Sequence, residues 1–407
     1  MIATHRSCHL CKSSRVEELL DLGLQPVCNR FLSRPDEEEF KHPMRLGFCS
    51  ACGIPQLMDP VPVAELRPRF DWITYAEPER HVNRMADTIA RLPGLGKNSV
   101  CYGVSFKDDS ILTALAERGL GRTRRLDVKT DLDIEDSRAG VETVQDRLTP
   151  ERCHSLAKTL GPADVVVARH ILEHSRDVFR FMSALRGLLN PSGYLVLEVP
   201  DCARALENLD YSTIWEEHVL YFTPWTFKRA MTIGGFSSVH FEVFPYAPED
   251  VLVCIGRFSG SASPPPAGME QESLELEKNR AFGFRDGLAG RGEKFRRYFF
   301  DHRIGPDEVA VFGAGHLSCV FINLLGLAGQ IDFVVDDHPQ KQGLFMPGNH
   351  RPIRGPAALA DGRTRLCLLG INADSEPGVI GANGRYAARG GTFASIFPAS
   401  PNALRVS

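Results

Sequence analysis

The chain has 407 residues, of which 43% are hydrophobic and 24% charged, and a formal net charge of -4. This length predicts two or three domains, because single hydrophobic cores stop growing beyond about 250–300 residues. The composition excludes a disordered or fibrous chain, and without a long run of Lys or Arg we expect neither nucleic acid nor a membrane as a partner.

The N-terminal segment carries paired cysteines and acidic residues where a signal peptide would need an apolar stretch. No stretch reaches transmembrane length. We therefore expect a cytoplasmic protein, in which the eleven cysteines are thiols or metal ligands rather than disulfides.

Two C-x2-C knuckles stand out in the segment 1–70, which we predict to be a zinc-binding domain. They are Cys8-His-Leu-Cys11 and Cys49-Ser-Ala-Cys52. Together they supply four thiolates for tetrahedral zinc, and a closed four-sulfur shell indicates a structural ion. One pair alone would also suit a redox motif, but the second pair and the missing βαβ context favour zinc. We expect a small ribbon that covers part of another domain's active site.

An alternation of strands and helices begins after this segment and predicts a second domain over 71–260. The predicted strands are 98–103, 124–127, 164–168 and 193–199, and the predicted helices are 81–92, 111–118 and 177–189, with a turn at 191–193. Continuous apolar strands between amphipathic helices indicate a doubly wound parallel sheet covered on both faces.

A third domain is predicted over 261–407, after a small-residue and proline linker at 259–266. A charged helical stretch over 271–300 precedes a strand at 308–312 that enters the glycine turn Gly313-Ala-Gly315. A strand ending at Asp336 follows. This echoes the nucleotide-binding fingerprint, but the third glycine position is Ser318, so the pattern also fits plain sheet packing.

The order of these motifs resembles, over nearly the whole chain, the sugar C-methyltransferases that methylate nucleotide-linked keto-sugars with S-adenosylmethionine. The resemblance rests on collinear segments: the two knuckles, 75–81, 164–174, the signature Ile214-Trp-Glu-Glu-His218 with Tyr221-Phe-Thr223, Gly313-Ala-Gly315, Val335-Asp-Asp337 and 341–348. It implies an α/β protein with an N-terminal zinc ribbon, a central class I methyltransferase Rossmann-like domain and a C-terminal Rossmann-like α/β domain. Its ligands would be S-adenosylmethionine, structural Zn²⁺ and a nucleotide-diphosphate sugar, bound by a monomer or homodimer.

The resemblance also implies a cofactor site at the ends of the first strands of the central domain. The residues expected there are Gly103, Asp127, Gln145, Asp146 and Arg169. Gly103 would allow close backbone approach, and Asp127 would accept hydrogen bonds from the ribose hydroxyls. A glycine after one strand and an acid after the next occur in many α/β proteins, so this pair alone would not identify the cofactor.

The chemistry implied by the resemblance is removal of a proton beside a ketone, followed by attack of the enolate on the sulfonium methyl group. By position, His218 matches the family's base, and Glu217, His174 and Tyr75 match its other active-site residues. The expected substrate-binding residues are His170, Trp215, Tyr221, Gly313, Gly315 and Asp336. Simple packing or capping roles are the alternative, above all for the aromatic residues.

Three departures from the family pattern predict a changed hydrogen-bond arrangement. The turn after the first strand is longer and lacks a second glycine, Trp215 and Glu216 replace a tyrosine and a histidine, and His170 replaces an asparagine. We therefore expect an unusual acceptor, or in the extreme a relative that binds a nucleotide-sugar without methyl transfer or methylates a heteroatom. An oxidoreductase using the Gly313 turn ranks lower, because no catalytic set accompanies it.

Overall fold

A computed structural model describes residues 7–70, 72–73, 77–136, 139–247, 249–259 and 267–406. The described chain forms three separate sheets of three, six and five strands. Tyr75 and nearly all of the predicted linker at 259–266 lie outside the described residues. Within the described ranges, no helix is both long enough and apolar enough to cross a membrane.

The N-terminal sheet is an antiparallel ribbon, as the cysteine spacing predicts. Its strands β1 (Val16–Pro26), β2 (Lys41–Cys49) and β3 (Pro55–Leu57) pair in that order. Val16 faces Cys49 across the first pair, so the start of β1 lies beside the second knuckle. A short helix, α1 (Val63–Leu66), follows the ribbon.

The central sheet has the strand order β5-β4-β6-β7-β9-β8. Its strands are β4 (Val100–Gly103), β5 (Arg122–Arg125), β6 (Ala163–Arg169), β7 (Leu189–Asp201), β8 (Phe236–Phe244) and β9 (Asp250–Phe258). Four strands are parallel, whereas β9 runs antiparallel to both of its neighbours. The four strands predicted from the sequence correspond to β4–β7 and are parallel, as expected. No strand was predicted over 236–258, and the sheet is mixed there because the short connection from β8 to β9 cannot form a parallel crossover.

Helices cover both faces of the central sheet. They are α2 (Val82–Ala90), α3 (Asp109–Glu117), α4 (Val141–Arg147), α5 (Pro150–Leu160), α6 (Val178–Leu188), α7 (Ala203–Glu207) and α8 (Pro224–Ile233). Strand β6 shows why both faces are apolar. Val165 and Val167 pack with α2 and α3, while Val166 and Ala168 pack with α6 and α8. Such a two-sided strand is continuously hydrophobic.

The turn predicted at 191–193 lies inside β7 rather than between elements. Ala163 pairs with Leu189 and Val165 pairs with Tyr194, so the residues between Leu189 and Tyr194 bulge out of the ladder. The Pro-Ser-Gly signal therefore marks a break in strand pairing and not the start of the strand.

The C-terminal domain is an all-parallel sheet of order β12-β11-β10-β13-β14. Its elements are α9 (Ala267–Leu288), α10 (Arg291–Asp301), β10 (Val309–Phe312), α11 (His316–Leu324), β11 (Phe333–Val335), β12 (Ile353–Arg354), β13 (Leu366–Leu369), α12 (Glu376–Ala382), α13 (Gly384–Ala388) and β14 (Thr392–Ser395). The helical stretch predicted over 271–300 is two helices. Gly290, with φ of 74°, has a left-handed conformation that ends the first.

Candidate active site

The four knuckle cysteines meet at one point. Cys8 Sγ lies 3.6 Å from Cys52 Sγ, Cys11 Sγ lies 3.6 Å from Cys49 Sγ, and all four sulfur atoms are within 4.8 Å of one another. Zn–S bonds of about 2.3 Å place tetrahedral sulfurs at about this separation. The cluster therefore fits a zinc ion, and its closed sulfur shell gives the ion a structural role.

The signature segment 214–222 is held against the loop that follows β6. The backbone N–H groups of Val219 and Leu220 both donate to the Glu173 carbonyl oxygen, at 2.8 and 2.9 Å. Thr223 then caps α8 through its side chain, and Pro224 occupies the first helical turn. The chain thus fixes the signature at the carboxyl edge of the parallel strands, where ligands of open α/β sheets bind.

His218 lies at the centre of this arrangement. Its ring centroid is 5.0 Å from that of His174, and the two planes are nearly perpendicular. Burial lowers the pKa of His218 well below the usual imidazole value, and His174 and Lys107 lower it further. His218 is therefore neutral at physiological pH, which is the protonation state that a general base requires.

The zinc domain contacts the signature through two buried acids. Asn29 Nδ2 donates to Glu217 Oε1 at 3.0 Å, and Cys28 N donates to Glu216 Oε1 at 2.5 Å. Glu217 is only 6% exposed, and burial raises its pKa well above the usual carboxyl value. Burial also raises the pKa of Glu216 to about 7. Glu217 is thus a buried, protonated group rather than a solvated one.

Several residues that the sequence did not single out complete the site. Glu142 Oε1 lies 2.8 Å from His174 Nδ1, and Lys107 Nζ donates to Glu77 Oε1 at 2.6 Å. Lys107 follows Gly103 in the turn after β4, so the unusual length of that turn was the available signal. Glu142 had no such signal, because its role depends on a partner from a distant part of the chain.

The turn after β4 is closed by a carboxylate. Asp108 Oδ2 accepts from the N–H groups of Val104 and Ser105, at 2.8 and 2.9 Å, and burial raises the pKa of Asp108 to about 7. A side chain on Gly103 would lie 2.7 Å from the Asp108 β-carbon. Gly103 therefore allows this close packing within the turn, in addition to any approach by a cofactor.

The other expected cofactor residues lie along the same edge. Asp127 follows β5 and is exposed, although its Oδ1 already accepts from the N–H groups of Lys129 and Thr130. Gln145 Nε2 donates to the Ile171 carbonyl oxygen at 2.6 Å, and Asp146 is exposed. An exposed carboxylate after the second strand fits a ribose diol.

Arg169 and His170 belong to a buried ionic network. Arg169 Nε donates to Glu198 Oε2 at 2.8 Å, and His170 Nε2 lies 2.8 Å from Glu198 Oε1. Burial alone would lower the pKa of His170, but the surrounding carboxylates, Glu77 foremost, raise it to about 10. Arg169 is fully buried and donates to the Lys107 carbonyl oxygen. All of the Arg169 hydrogen bonds shown go to protein atoms, and cofactor contact by Arg169 stays a prediction.

The C-terminal domain closes the opposite side of the site. His316, which begins α11 after the turn Gly313-Ala-Gly315, stacks on Trp215 with ring centroids 4.1 Å apart. Tyr221 is 2% exposed, and its hydroxyl donates to the Trp215 carbonyl oxygen at 3.3 Å. Tyr221 is therefore packed against the signature, with its hydroxyl bonded to the protein backbone.

Asp336 is occupied by its own domain. Its Oδ2 accepts from Ala314 N at 2.8 Å and from Lys341 Nζ at 3.1 Å, and its Oδ1 accepts from His338 N. The carboxylate therefore organises the glycine turn. Both of its oxygens already accept hydrogen bonds from the protein, so the sugar recognition expected of Asp336 would have to replace or share these bonds.

Three family profiles match successive parts of the chain. A zinc binding domain matches residues 8–66, a methyltransferase domain matches 96–240, and a C-methyltransferase C-terminal domain matches 270–398. The C-methyltransferase NovU of Streptomyces niveus is 22% identical over 402 residues, covering 96% of this chain and 95% of the relative.

Two solved methyltransferase structures each resemble about half of this chain. The N-methyltransferase NodS of Bradyrhizobium japonicum WM9, in complex with S-adenosyl-L-homocysteine, has a TM-score of 0.31 and 18% identity, over 47% of this chain and 94% of that one. A Burkholderia thailandensis 1,6-didemethyltoxoflavin-N1-methyltransferase has a TM-score of 0.30 and 13% identity, over 50% and 95%. Scores this low add nothing to the family match.

The zinc cluster, the mixed central sheet and the matching methyltransferase domains define an S-adenosylmethionine-dependent methyltransferase. The chain is similar to the zinc-containing C-methyltransferases from the first knuckle to the C-terminal domain.

Proposed function

We propose that the protein transfers a methyl group from S-adenosylmethionine to a carbon beside the ketone of a nucleotide-linked sugar or related metabolite, with His218 as general base. The observation that carries the proposal is the position of His218 in the signature, with its ring 5.0 Å from that of His174 at the carboxyl edge of the sheet; burial also lowers the pKa of His218 well below the usual imidazole value. A base must be unprotonated and near the reacting carbon before it can act.

The cofactor would lie along the carboxyl edge of β4, β5 and β6. Asp127 would accept from the ribose hydroxyls, Gln145 and Asp146 would border the adenine, and Gly103 would sit beneath the methionine part. When bound, S-adenosylmethionine supplies an electrophilic methyl group. The residues of this chain supply the proton transfer and the positioning.

The proton step assigns distinct roles to the two histidines. His218 accepts the proton from the carbon next to the ketone, and the electron pair left behind forms the enolate. His174, whose Nδ1 lies 2.8 Å from Glu142 Oε1, would stabilise the enolate oxygen through an Nε2–H group, with both of its ring nitrogens protonated in that step. Protonated Glu217, held by Asn29, is placed to donate a further hydrogen bond. Tyr75 would face the substrate beside them.

The acceptor would extend from His218 toward the C-terminal domain. Trp215 and His316 form a stacked pair that joins the signature to the glycine turn. The N–H groups of Gly313 and Ala314 are bonded to Val335 and Asp336, but those of the first turn of α11, which begins at His316, have no partner within the helix and suit phosphate oxygens. Placement of the nucleotide part there would leave the sugar near His218.

Replacing His218 with alanine tests the proposal. His218→Ala should slow methyl transfer by about a hundredfold or more, as loss of a general base usually does. Calorimetry should still show S-adenosylhomocysteine binding at wild-type affinity. The rate is measured by mass spectrometry of nucleoside-diphosphate keto-sugars that gain one methyl group.

His154→Ala is the matched control, because His154 is an exposed histidine of α5. It should leave both measurements unchanged. Wild-type turnover in His218→Ala would remove the base from the proposal.

A second candidate function is a relative that binds a nucleotide-sugar without transferring a methyl group. It is favoured by Asp108, whose carboxylate takes up the Val104 and Ser105 N–H groups that could otherwise approach a cofactor. Absence of S-adenosylhomocysteine binding at millimolar ligand, with nucleotide-sugar binding retained, would favour this candidate. Fragmentation of a methylated product would separate carbon from oxygen or nitrogen methylation.

A further inference from the structure

A second group of metal-type ligands lies in the candidate active site, apart from the four cysteines. One ligand atom each from Glu173, His174 and His218 lies within 4.8 Å of the others. Glu173 and His174 are 1% and 4% exposed. Among the described residues, Glu173 Oε2 and His174 Nε2 have no hydrogen-bond partner. Buried polar atoms without partners are costly, so they point to a ligand.

Glu142 orients one of these ligands. Its Oε1 lies 2.8 Å from His174 Nδ1, while His174 Nε2 is directed toward Glu173, with Oε1 3.9 Å away. A histidine that bonds a carboxylate through one nitrogen and offers the other to an ion is the usual outer-shell arrangement of metal sites. Because Glu142 lies beside Nδ1, Nε2 is the His174 nitrogen left to face Glu173.

The surrounding charge also favours a cation. Glu142 and Glu173 contribute two carboxylates at this point, and both are buried. Two cationic groups lie nearby, and each already has a carboxylate outside the cluster. Lys107 Nζ is 2.6 Å from Glu77, and His170, whose Nδ1 lies 3.6 Å from Glu173 Oε1, has its Nε2 2.8 Å from Glu198. Two imidazoles and one carboxylate form a ligand set that suits Zn²⁺, Co²⁺ and related ions.

We propose that Glu173, His174 and His218 form a second metal site for a divalent transition ion, and that an ion bound there takes His218 out of proton transfer. Unlike the four-cysteine cluster, three protein ligands leave a coordination position open, so the ion exchanges more readily. An imidazole nitrogen that coordinates a metal cannot accept a proton. The second half of the proposal rests on His218 being the base.

Metal stoichiometry tests the site without any measurement of activity. After equilibrium dialysis of the full-length protein against Zn²⁺, the wild type should retain two ions per chain. Glu173→Gln and His174→Ala should retain one, whereas His154→Ala should retain two. Glu173→Gln keeps the backbone carbonyl that holds Val219 and Leu220, so the signature stays anchored.

Co²⁺ loading distinguishes the two sites by their spectra. Thiolate-to-cobalt charge-transfer absorption shows that Co²⁺ occupies the cysteine cluster. A second bound Co²⁺ that adds no such absorption occupies the histidine–glutamate site. One ion per chain in the wild type, or two in both site variants, overturns the proposal.

The inhibitory effect of the second ion is tested by measuring the rate of methyl transfer. Added Zn²⁺ should lower the rate of methyl transfer at least tenfold, and a mild chelator that spares the cysteine cluster should restore it. Binding of a second ion with unchanged or faster turnover overturns the inhibitory role. Failure to bind a second ion while His218→Ala still slows turnover overturns the metal site and leaves the proposed function standing.

Discussion

At the scale of single residues, burial sets the protonation of the candidate site. It lowers the pKa of His218 and raises the pKa of Glu217, so in both groups burial favours the uncharged form. His170 behaves differently, because the carboxylates around it outweigh burial and keep it charged. The site therefore combines a neutral base with a fixed cation.

The raised pKa of His170, about 10, predicts a pH dependence of stability. The unfolded histidine titrates near about 6.5, so the folded state holds an extra proton between the two values. The free energy of unfolding should fall as pH rises from 6.5 toward 10. Urea denaturation at several pH values measures this slope, and His170→Asn should make it shallower. Equal slopes in the two proteins would contradict the assignment.

At the scale of elements, one zinc knuckle precedes β1 and the other begins at Cys49, the last residue of β2, and together they give the N-terminal domain its metal-dependent core. Cys8, Cys49 and Cys52 are all fully buried, although this ribbon has only three strands. Small domains with little apolar surface depend on such ions for folding. The ion therefore holds the segment that carries Cys28 and Asn29 to the signature.

Removal of one knuckle thiolate should release the ion. Cys49→Ser is expected to lose the structural zinc and to lower the melting temperature, because the metal contributes directly to folding. Metal analysis on protein first treated with a mild chelator measures this ion alone. Cys153→Ala, a change at a buried cysteine of α5, should keep the zinc. Full zinc content in Cys49→Ser would exclude the assignment.

The knuckles and the apolar strands could be predicted from sequence because their signals are local. The two cysteines of the first knuckle, Cys8 and Cys11, lie within one short stretch of sequence. The continuous hydrophobic run lies within the single strand β6. The antiparallel strand β9 was not predicted, and its direction depends on the connection to β8 rather than on composition.

Site residues were harder to predict because their partners are remote in sequence. Asp336 has the position of a ligand-binding acid, yet Lys341 and the glycine turn take its oxygens. Glu142 carries no motif, and only the fold brings it to His174. The sequence could thus indicate which segments meet, but not how each hydrogen-bond donor and acceptor is used.

At the scale of the whole molecule, residues from all three domains surround the signature. Cys28 and Asn29 come from the zinc domain, His218 from the central domain and His316 from the C-terminal domain. A second aromatic contact, Trp72 on His338 with centroids 4.8 Å apart, also joins the central region to the C-terminal domain. Substrate recognition should therefore depend on the packing between domains.

Removal of the His316 ring should affect the acceptor more than the cofactor. His316→Ala deletes the stack on Trp215, and such pairs contribute about 0.5–1.5 kcal/mol. We expect KM for the acceptor to rise by up to about tenfold, with S-adenosylhomocysteine affinity unchanged in calorimetry. His302→Ala, which removes another stacked histidine on Tyr298, should change neither. A matching loss of cofactor affinity in His316→Ala would argue against this division.

The contact between Cys28 and Glu216 has an evolutionary consequence. Position 216 lies in the signature, position 28 lies in the metal-bound ribbon, and the two are joined by a 2.5 Å backbone hydrogen bond and a 3.2 Å thiol contact. A homologue with histidine at 216 would bring a ring and a different hydrogen-bonding pattern into the same enclosed space. Substitutions at these two sites should therefore covary across the family, and independent variation would mean that the contact imposes little selection.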